Sequence, residues 1–276
     1  MLNEPFVGWS DTAKSIVEAA INRHGGSDAW LAFEQLRVEC VRFTGIVRLV
    51  KGQGRTFSLP RVFVIDPHAQ RTAFLDYPTS GSTTVYAGGT VSLIDAASGR
   101  ELERRERYRA RFNSVRARLA QWSDLDVAYF LGYSQANYHA YPFVLPTLAF
   151  IAQRSYRRER AAWEALTLEY PASFDCHSRR QIFHFDATGL LRRVDYHVEI
   201  VGRASTSAHF YEDYVSVGGI LFPRKRRIVA RFLRLAVGLN LISLDLELEC
   251  RSRAHGRGQV VADSLARPRP SHHQPE

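Results

Sequence analysis

Apolar residues recur at every second position over much of this chain, and that period leaves little choice but a sheet. Leu244, Leu246 and Leu248 alternate with Asp245, Glu247 and Glu249, the spacing of a strand with one buried and one wet face. Comparable runs lie at 36–49, 61–66, 71–76, 82–87, 90–95, 163–170, 179–185, 191–201, 204–217, 220–232 and 241–250. Near Cys40 the phase slips from Leu36, Val38 and Cys40 to Val41, Phe43, Val47 and Leu49. A β-bulge there would let a long strand curve. Gly88-Gly89 and Gly218-Gly219 each separate two alternating runs, as a two-residue hairpin with φ > 0 at both positions requires. Strands in direct succession pair antiparallel. The expected fold class is therefore α+β: one large curved antiparallel sheet, a half-open barrel of about eleven strands, with helices covering its concave face.

The helical period appears in two places. Ala13, Ile16, Val17, Ala20 and His24 fall on one face of a helix over 11–24, stopped by Gly25-Gly26, and Ser27-Asp28 starts a short turn carrying Trp30, Leu31 and Phe33. A longer helical insertion is expected at about 114–153, with Ser123-x-x-Asp126 as a capping box and Pro142 and Pro146 as breaks. Residues 100–112 fit either period. Tyr108, Ala110 and Phe112 alternating with arginines favour a strand there. Residues 1–251 read as one half-barrel domain, and 252–276, rich in Arg, Pro, His and Gly, as a disordered basic tail.

The net charge of +9 is almost wholly arginine, since the lysines are only Lys14, Lys51 and Lys225, and five arginines lie from Arg251 onward. No zinc-finger, helix-turn-helix or RNA-recognition spacing accompanies that charge, so no nucleic-acid partner is expected. Cys40, Cys176 and Cys250 have no CxxC spacing and suit no disulfide framework. The start, Met-Leu-Asn-Glu-Pro, lacks the cationic and apolar blocks of a signal peptide. Arg231 and Arg234 interrupt the most apolar stretch, so no membrane span is expected and the cytoplasm is the expected compartment. Without a glycine-rich strand-to-helix loop a dinucleotide or P-loop fold is disfavoured, and no cofactor or metal is expected. No GxSxG, HExxH or Cys–His spacing points to catalysis.

Two segments carry a family resemblance. Phe185-Asp186-Ala187-Thr188-Gly189-Leu190-Leu191-Arg192-Arg193, and Phe210 through Pro223 ending in Gly219-Ile220-Leu221-Phe222-Pro223, resemble hairpins of the LolA/LolB-like and RseB-like lipoprotein-carrier superfamily. The resemblance implies an unclosed antiparallel barrel draped over helices, with an apolar cavity for acyl chains between them.

The stretch Tyr129–Phe143 holds six aromatic residues in fifteen. On a helix, Asp126, Tyr129, Phe130, Tyr133 and Asn137 share one face, with Trp122 a turn earlier. That face fits a helix packed solidly on the sheet, and equally a cavity wall whose rings contact an apolar ligand while hydroxyls hold its polar end. Trp122, Asp126, Tyr129, Phe130, Tyr133, Tyr138 and His139, facing Tyr196, Val198 and Phe210 on the sheet, are the candidate ligand-binding residues. The expected function is non-covalent binding or carriage of a lipid-like or other hydrophobic small molecule. A cofactorless enzyme using Tyr133, His139 and Asp126 in the same cavity is the alternative. Asp195, His197 and Glu199 alternate along one strand face, and a three-residue loop at 202–204 would set His209 opposite His197 as a metal or acid–base site. Val194, Tyr196, Val198 and Ile200 make the other face the buried one, so the histidine face is expected to be wet. Arg224, Arg227, Arg231 and Arg234 suit a helix on an anionic surface or, with the hairpin before them, the wet face of a strand, which is favoured.

Overall fold

A computed structural model of the chain describes residues 4–46, 51, 59–66, 68–158, 161–202, 205–232 and 235–251. Two short helices, α1 (Asp11–Arg23) and α2 (Gly26–Ala32), precede six strands: β1 (Gln35–Thr44), β2 (Val62–Asp66), β3 (Arg71–Leu75), β4 (Ser82–Ala87), β5 (Thr90–Asp95) and β6 (Glu101–Arg105). A 3-10 turn at Tyr108–Phe112 leads to α3 (Val115–Leu119) and α4 (Asp124–His139). Seven strands follow: β7 (Ala149–Arg158), β8 (Ala161–Glu169), β9 (Arg180–Asp186), β10 (Leu191–His197), β11 (Thr206–Val217), β12 (Ile220–Phe232) and β13 (Leu235–Arg251).

The thirteen strands among the described residues belong to one sheet in the order β6-β5-β4-β3-β2-β1-β13-β12-β11-β10-β9-β8-β7, antiparallel throughout. It is two meanders joined through β1 and β13, and its edges, β6 and β7, do not pair with each other. That topology decides where the helices go. The chain leaves the sheet at one edge and rejoins it at the other, so the connection between β6 and β7 must cross a face of the sheet. One continuous core results, in which Leu36, Val38, Phe63, Ile65, Phe74, Tyr86, Val194 and Tyr196 of the strands meet Tyr129, Phe130 and Tyr133 of α4. On the opposite face lie two small clusters, Val64-Ala73-Val85 and Ala208-Phe210-Val229.

Several expectations hold locally. Gly88 and Gly89 (φ +48° and +86°) and Gly218 and Gly219 (φ +59° and +84°) form the tips of the β4–β5 and β11–β12 hairpins. The β1–β13 register shifts between Cys40 and Arg42, which is the bulge. Ser123 and Asp126 close the capping box of α4. The arginine-rich stretch through Arg231 is strand; Arg234 lies outside the described residues, as does the tail 252–276.

Three expectations are corrected. Thirteen strands replace about eleven, because the supposed helical insertion ends early: α4 stops at His139, and Ala149–Arg158 is β7. As an edge strand with both faces partly wet, β7 lacks the clean alternation that marks the others. Only Glu101–Arg105 of 100–112 is strand, since Arg107 (φ +48°) breaks it and Tyr108–Phe112 turns inward to bury Tyr108 and Phe112. Finally, His209 pairs with Val194, and His197 with Thr206. The connection closes between Val198 and Ser205 rather than at three residues, so no His197–His209 pair forms. No helix among the described residues is long and apolar enough to cross a membrane.

Candidate functional site

All sixteen residues of α4 except Asp124 and Leu131 are buried. A helix enclosed on every side must satisfy its polar side chains internally, and this one does so in successive layers. At its N-terminus Asp126 accepts from the Ser123 backbone (2.8 Å), the Arg111 guanidinium (2.5 Å) and the Tyr108 hydroxyl (3.1 Å). One turn on, Tyr129 and Tyr86 both donate to the Asp175 carboxylate (3.0 and 2.9 Å), and Asn137 donates to the Asp175 carbonyl (2.9 Å).

A chain of phenols and imidazoles follows. Tyr133 bonds His177 Nδ1 (2.9 Å), and His177 Nε2 bonds the Tyr138 hydroxyl. Tyr138 bonds Tyr196 (2.9 Å), and Tyr196 bonds His209 Nδ1 (3.3 Å). Beside this chain, His139 Nδ1 donates to the Gln135 carbonyl (2.8 Å), which leaves Nε2 to accept from Arg226 (2.8 Å). Burial pushes the hydroxyls of Tyr133, Tyr138 and Tyr196 far above the ordinary phenol range. It pushes His177 down to about 3 and His139 and His209 well below the ordinary imidazole value. The phenols and imidazoles of this chain are thus uncharged, and Arg226 is a cation set among them.

Nine of the ten candidate residues lie in or beside this layer. Trp122 packs on Phe130 (ring centroids 4.9 Å apart), Phe130 on Tyr133 (5.9 Å) and Tyr129 on Tyr133 (5.2 Å). Asp126, Tyr138, His139 and Tyr196 take the roles above, and Val198 joins the same core. Phe210 does not. It lies on the other face beneath the guanidinium groups of Arg158, Arg193 and Arg227, because the inward row of β11 is Ser207, His209 and Tyr211. Asp195 is also on that outer face, yet it is buried rather than wet, gripped by Arg193 (2.5 Å), His184 (3.1 Å) and Arg231 (3.2 Å). Burial opposes its ionisation, but the hydrogen bonds from His184 and Arg193 outweigh that and hold its carboxyl below the usual range.

Asp175, His177, Gln135, Arg226 and Tyr211 escaped the sequence reading. Asp175 and His177 sit between strands, where no period marks them. Arg226 was within reach, since it shares strand parity with Ile220, Phe222 and Ile228, all buried.

Two openings among the described residues are lined in part by α4, and a third lies beside the 3-10 turn that precedes it. A pocket of about 170 Å³ lies where Ala136, Asn137 and Ala140 face Trp30, Gln70, Phe143 and Phe174. An open polar cleft of about 630 Å³ is lined by Arg109, Arg118, His197 and Glu199. There, hydrogen bonds from His197 and Arg109 hold Glu199 down at about 2. A crevice of about 20 Å³ runs between Leu131 and Gln135 and the apolar side chains of β1, β2 and β13. None of the ten candidates lines any of these openings.

These features define an unclosed antiparallel sheet packed over a helix. Three solved structures are similar to this chain. A LolA superfamily protein of Nitrosomonas europaea aligns over 87% of this chain and 94% of its own, at 12% identity and a TM-score of 0.47. A DUF1329 family protein of Desulfovibrio piger aligns over 93% and 100%, at 14% identity and 0.47. A putative outer membrane lipoprotein-sorting protein domain of Vibrio parahaemolyticus aligns over 91% and 97%, at 9% identity and 0.42. No family model and no curated protein matches the sequence.

Proposed function

We propose that the chain binds a small hydrophobic molecule without covalent chemistry, in the pocket at the C-terminal end of α4. The observation that supports this reading is the pocket itself: about 170 Å³, walled by half-buried rings, with His68, Gln70, Asn137 and Thr147 as its polar side chains. That space suits a single-ring aromatic or a short alkyl group, since a cavity of about 150 Å³ takes benzene. The walls are held in place before any ligand arrives. Trp30 stacks on Phe143 with centroids 4.3 Å apart and planes 3° from parallel. Asn137 is fixed by its bonds to the Asp175 carbonyl and to Gln70 (3.0 Å). Preorganised walls reduce the ordering cost of binding.

Catalysis by Tyr133, His139 and Asp126 has less support. A general acid or base works best with a pKa near the operating pH, and burial drives the phenol up and the imidazole down, both away from neutrality. The carboxylate of Asp126 is already engaged by Ser123, Arg111 and Tyr108.

The test is titration with toluene, followed by Trp fluorescence and by melting temperature. Saturable binding is expected in the parent protein. Ala140→Phe, which fills the pocket, should weaken that binding about tenfold or more while leaving the protein folded. Equal affinity in the variant, or no saturable binding to the parent, would show the reading to be wrong.

A further inference from the structure

Arg226 projects from β12 toward α4 and is only 1% exposed, the most deeply buried lysine or arginine among the described residues. Its partners are all neutral. Nη2 donates to His139 Nε2 (2.8 Å) and Nη1 to the Gln135 amide oxygen (3.3 Å). The guanidinium faces the rings of Tyr138 and Tyr211 at 5.3 and 5.7 Å. The ionisable side chains acting most strongly on it are tyrosines, and no carboxylate forms an ion pair with it among the described residues. An arginine stays protonated, and a buried cation without a counter-charge is costly to keep.

The atoms around it share one deficiency. Arg226 Nε, the Tyr211 hydroxyl and His209 Nε2 are buried and have no hydrogen-bond partner among the described residues. They belong to one cluster. Tyr211 is the cross-strand neighbour of Arg226 and stacks on His209 (4.3 Å, 21°), while His209 meets Tyr138 edge to face (4.5 Å). Ser207, two residues further along the same row, adds another buried hydroxyl without a partner. Tyr196 bonds His209 Nδ1, and in the tautomer in which that hydroxyl donates, Nε2 carries the ring hydrogen. One cluster thus holds a positive charge and three buried polar atoms without partners among the described residues, and an anionic oxygen is a group that accepts from such donors.

An apolar route reaches the same place. Gln135, which accepts from Arg226, also walls the narrow crevice formed with Leu131, Phe43, Phe63, Leu244 and Leu246, and Leu244 is the β13 neighbour of Arg226. We propose that Arg226, Tyr211 and His209 receive the carboxylate or phosphate head of a single-chain amphiphile whose alkyl chain lies along this crevice. At about 20 Å³ the crevice holds about one water, so the chain enters by displacing the Leu131–Gln135 side of α4 from β13. This site is separate from the aromatic pocket: Gln135 and His139 lie on one side of α4, and Ala136, Asn137 and Ala140 on the other.

The experiment compares decanoate, decanol and inorganic phosphate by calorimetry on the full chain. Decanoate is expected to bind about tenfold or more tightly than decanol. Tyr211→Phe removes a hydroxyl that bonds nothing among the described residues. It should leave the melting temperature and decanol affinity unchanged and weaken decanoate about fivefold or more. Arg226→Gln should abolish the preference for the acid, and Ala140→Phe should leave it intact. Decanoate and decanol binding equally, or Tyr211→Phe changing neither, would overturn the proposal, as would the absence of any decanoate binding. Phosphate binding as tightly as decanoate and depending on Arg226 would assign the site to a free anion and overturn the amphiphile.

Discussion

Replacing Gly132 by alanine is expected to lower the melting temperature by about 10 °C, although alanine is the better helix former. The substitution gains about 1 kcal/mol of helix propensity in the middle of α4. Against that, a Cβ at this position would stand 2.3 Å from Tyr86 Cβ and 2.5 Å from its Cγ, atoms anchored at the root of a side chain that cannot swing aside. The helix must instead back away from β4. The bond from Thr72 Oγ1 to the Gly132 carbonyl (3.0 Å) would stretch, and so would the Tyr86 and Tyr129 bonds to Asp175. Overpacking costs about 1–3 kcal/mol and each buried hydrogen bond lost about another 1–3. A net loss of about 3–4 kcal/mol corresponds to about 10 °C in a domain of this size. Calorimetric melting of the variant decides the matter: an unchanged or raised transition would mean that α4 does not approach β4 this closely.

That contact is invisible in the sequence, whereas much of the sheet is not. The Leu244–Leu248 alternation, the Cys40 slip and the two glycine pairs are local signals with local causes, and each maps onto the structure where the period places it. Period two fails where a strand has no wet-and-dry contrast. At the edge, β7 is partly exposed on both faces, and its apolar start at Ala149-Phe150-Ile151 reads as the end of the helix before it. The β12–β13 register shifts twice between Ile228 and Arg231, so β13 begins well before the alternation that reveals it.

The site was legible in one direction only. Helical spacing gathered Trp122, Tyr129, Phe130 and Tyr133, and the structure packs them together. The facing rows were harder, because β11 offers two phases: Ala208 and Phe210, or Ser207, His209 and Tyr211. Hydropathy selects the first, and the structure uses the second. The interior against α4 is a hydrogen-bonded layer of phenols and imidazoles rather than hydrocarbon, so the more polar phase is the buried one. Arg226 follows the same logic. A charged residue on an apolar parity is read as a break in the pattern, when here it occupies the centre of the layer.

The same polar interior makes the fold sensitive to acid. Taking the protein from pH 7 to pH 5 is expected to remove at least about 4 kcal/mol of stability. Burial lowers His24 from 6.5 to about 4 and His177 from 6.5 to about 3, and it moves His139 and His209 in the same direction. An unfolded chain frees these imidazoles to take protons near pH 6.5, while the folded chain refuses them until far lower pH. Between those limits unfolding takes up protons, so stability falls as pH falls. At pH 5, about 1.5 units below the unfolded value, His24 and His177 each contribute about 2 kcal/mol of destabilisation. His139 and His209 add to it. The carboxylates act later: Glu199 (about 2) and Asp195, also lowered, keep their stabilising contributions above the ordinary carboxylate range and lose them only as pH falls below about 4. Against a total stability of about 5–15 kcal/mol, the histidine term alone consumes much of the margin. Urea titrations at pH 7, 6 and 5 should show a falling midpoint at nearly constant slope. The pH dependence between 6 and 5 should correspond to an uptake of more than one proton on unfolding. A stability that stays level down to pH 5 would mean that these imidazoles reach solvent and that the layer around α4 is open rather than sealed.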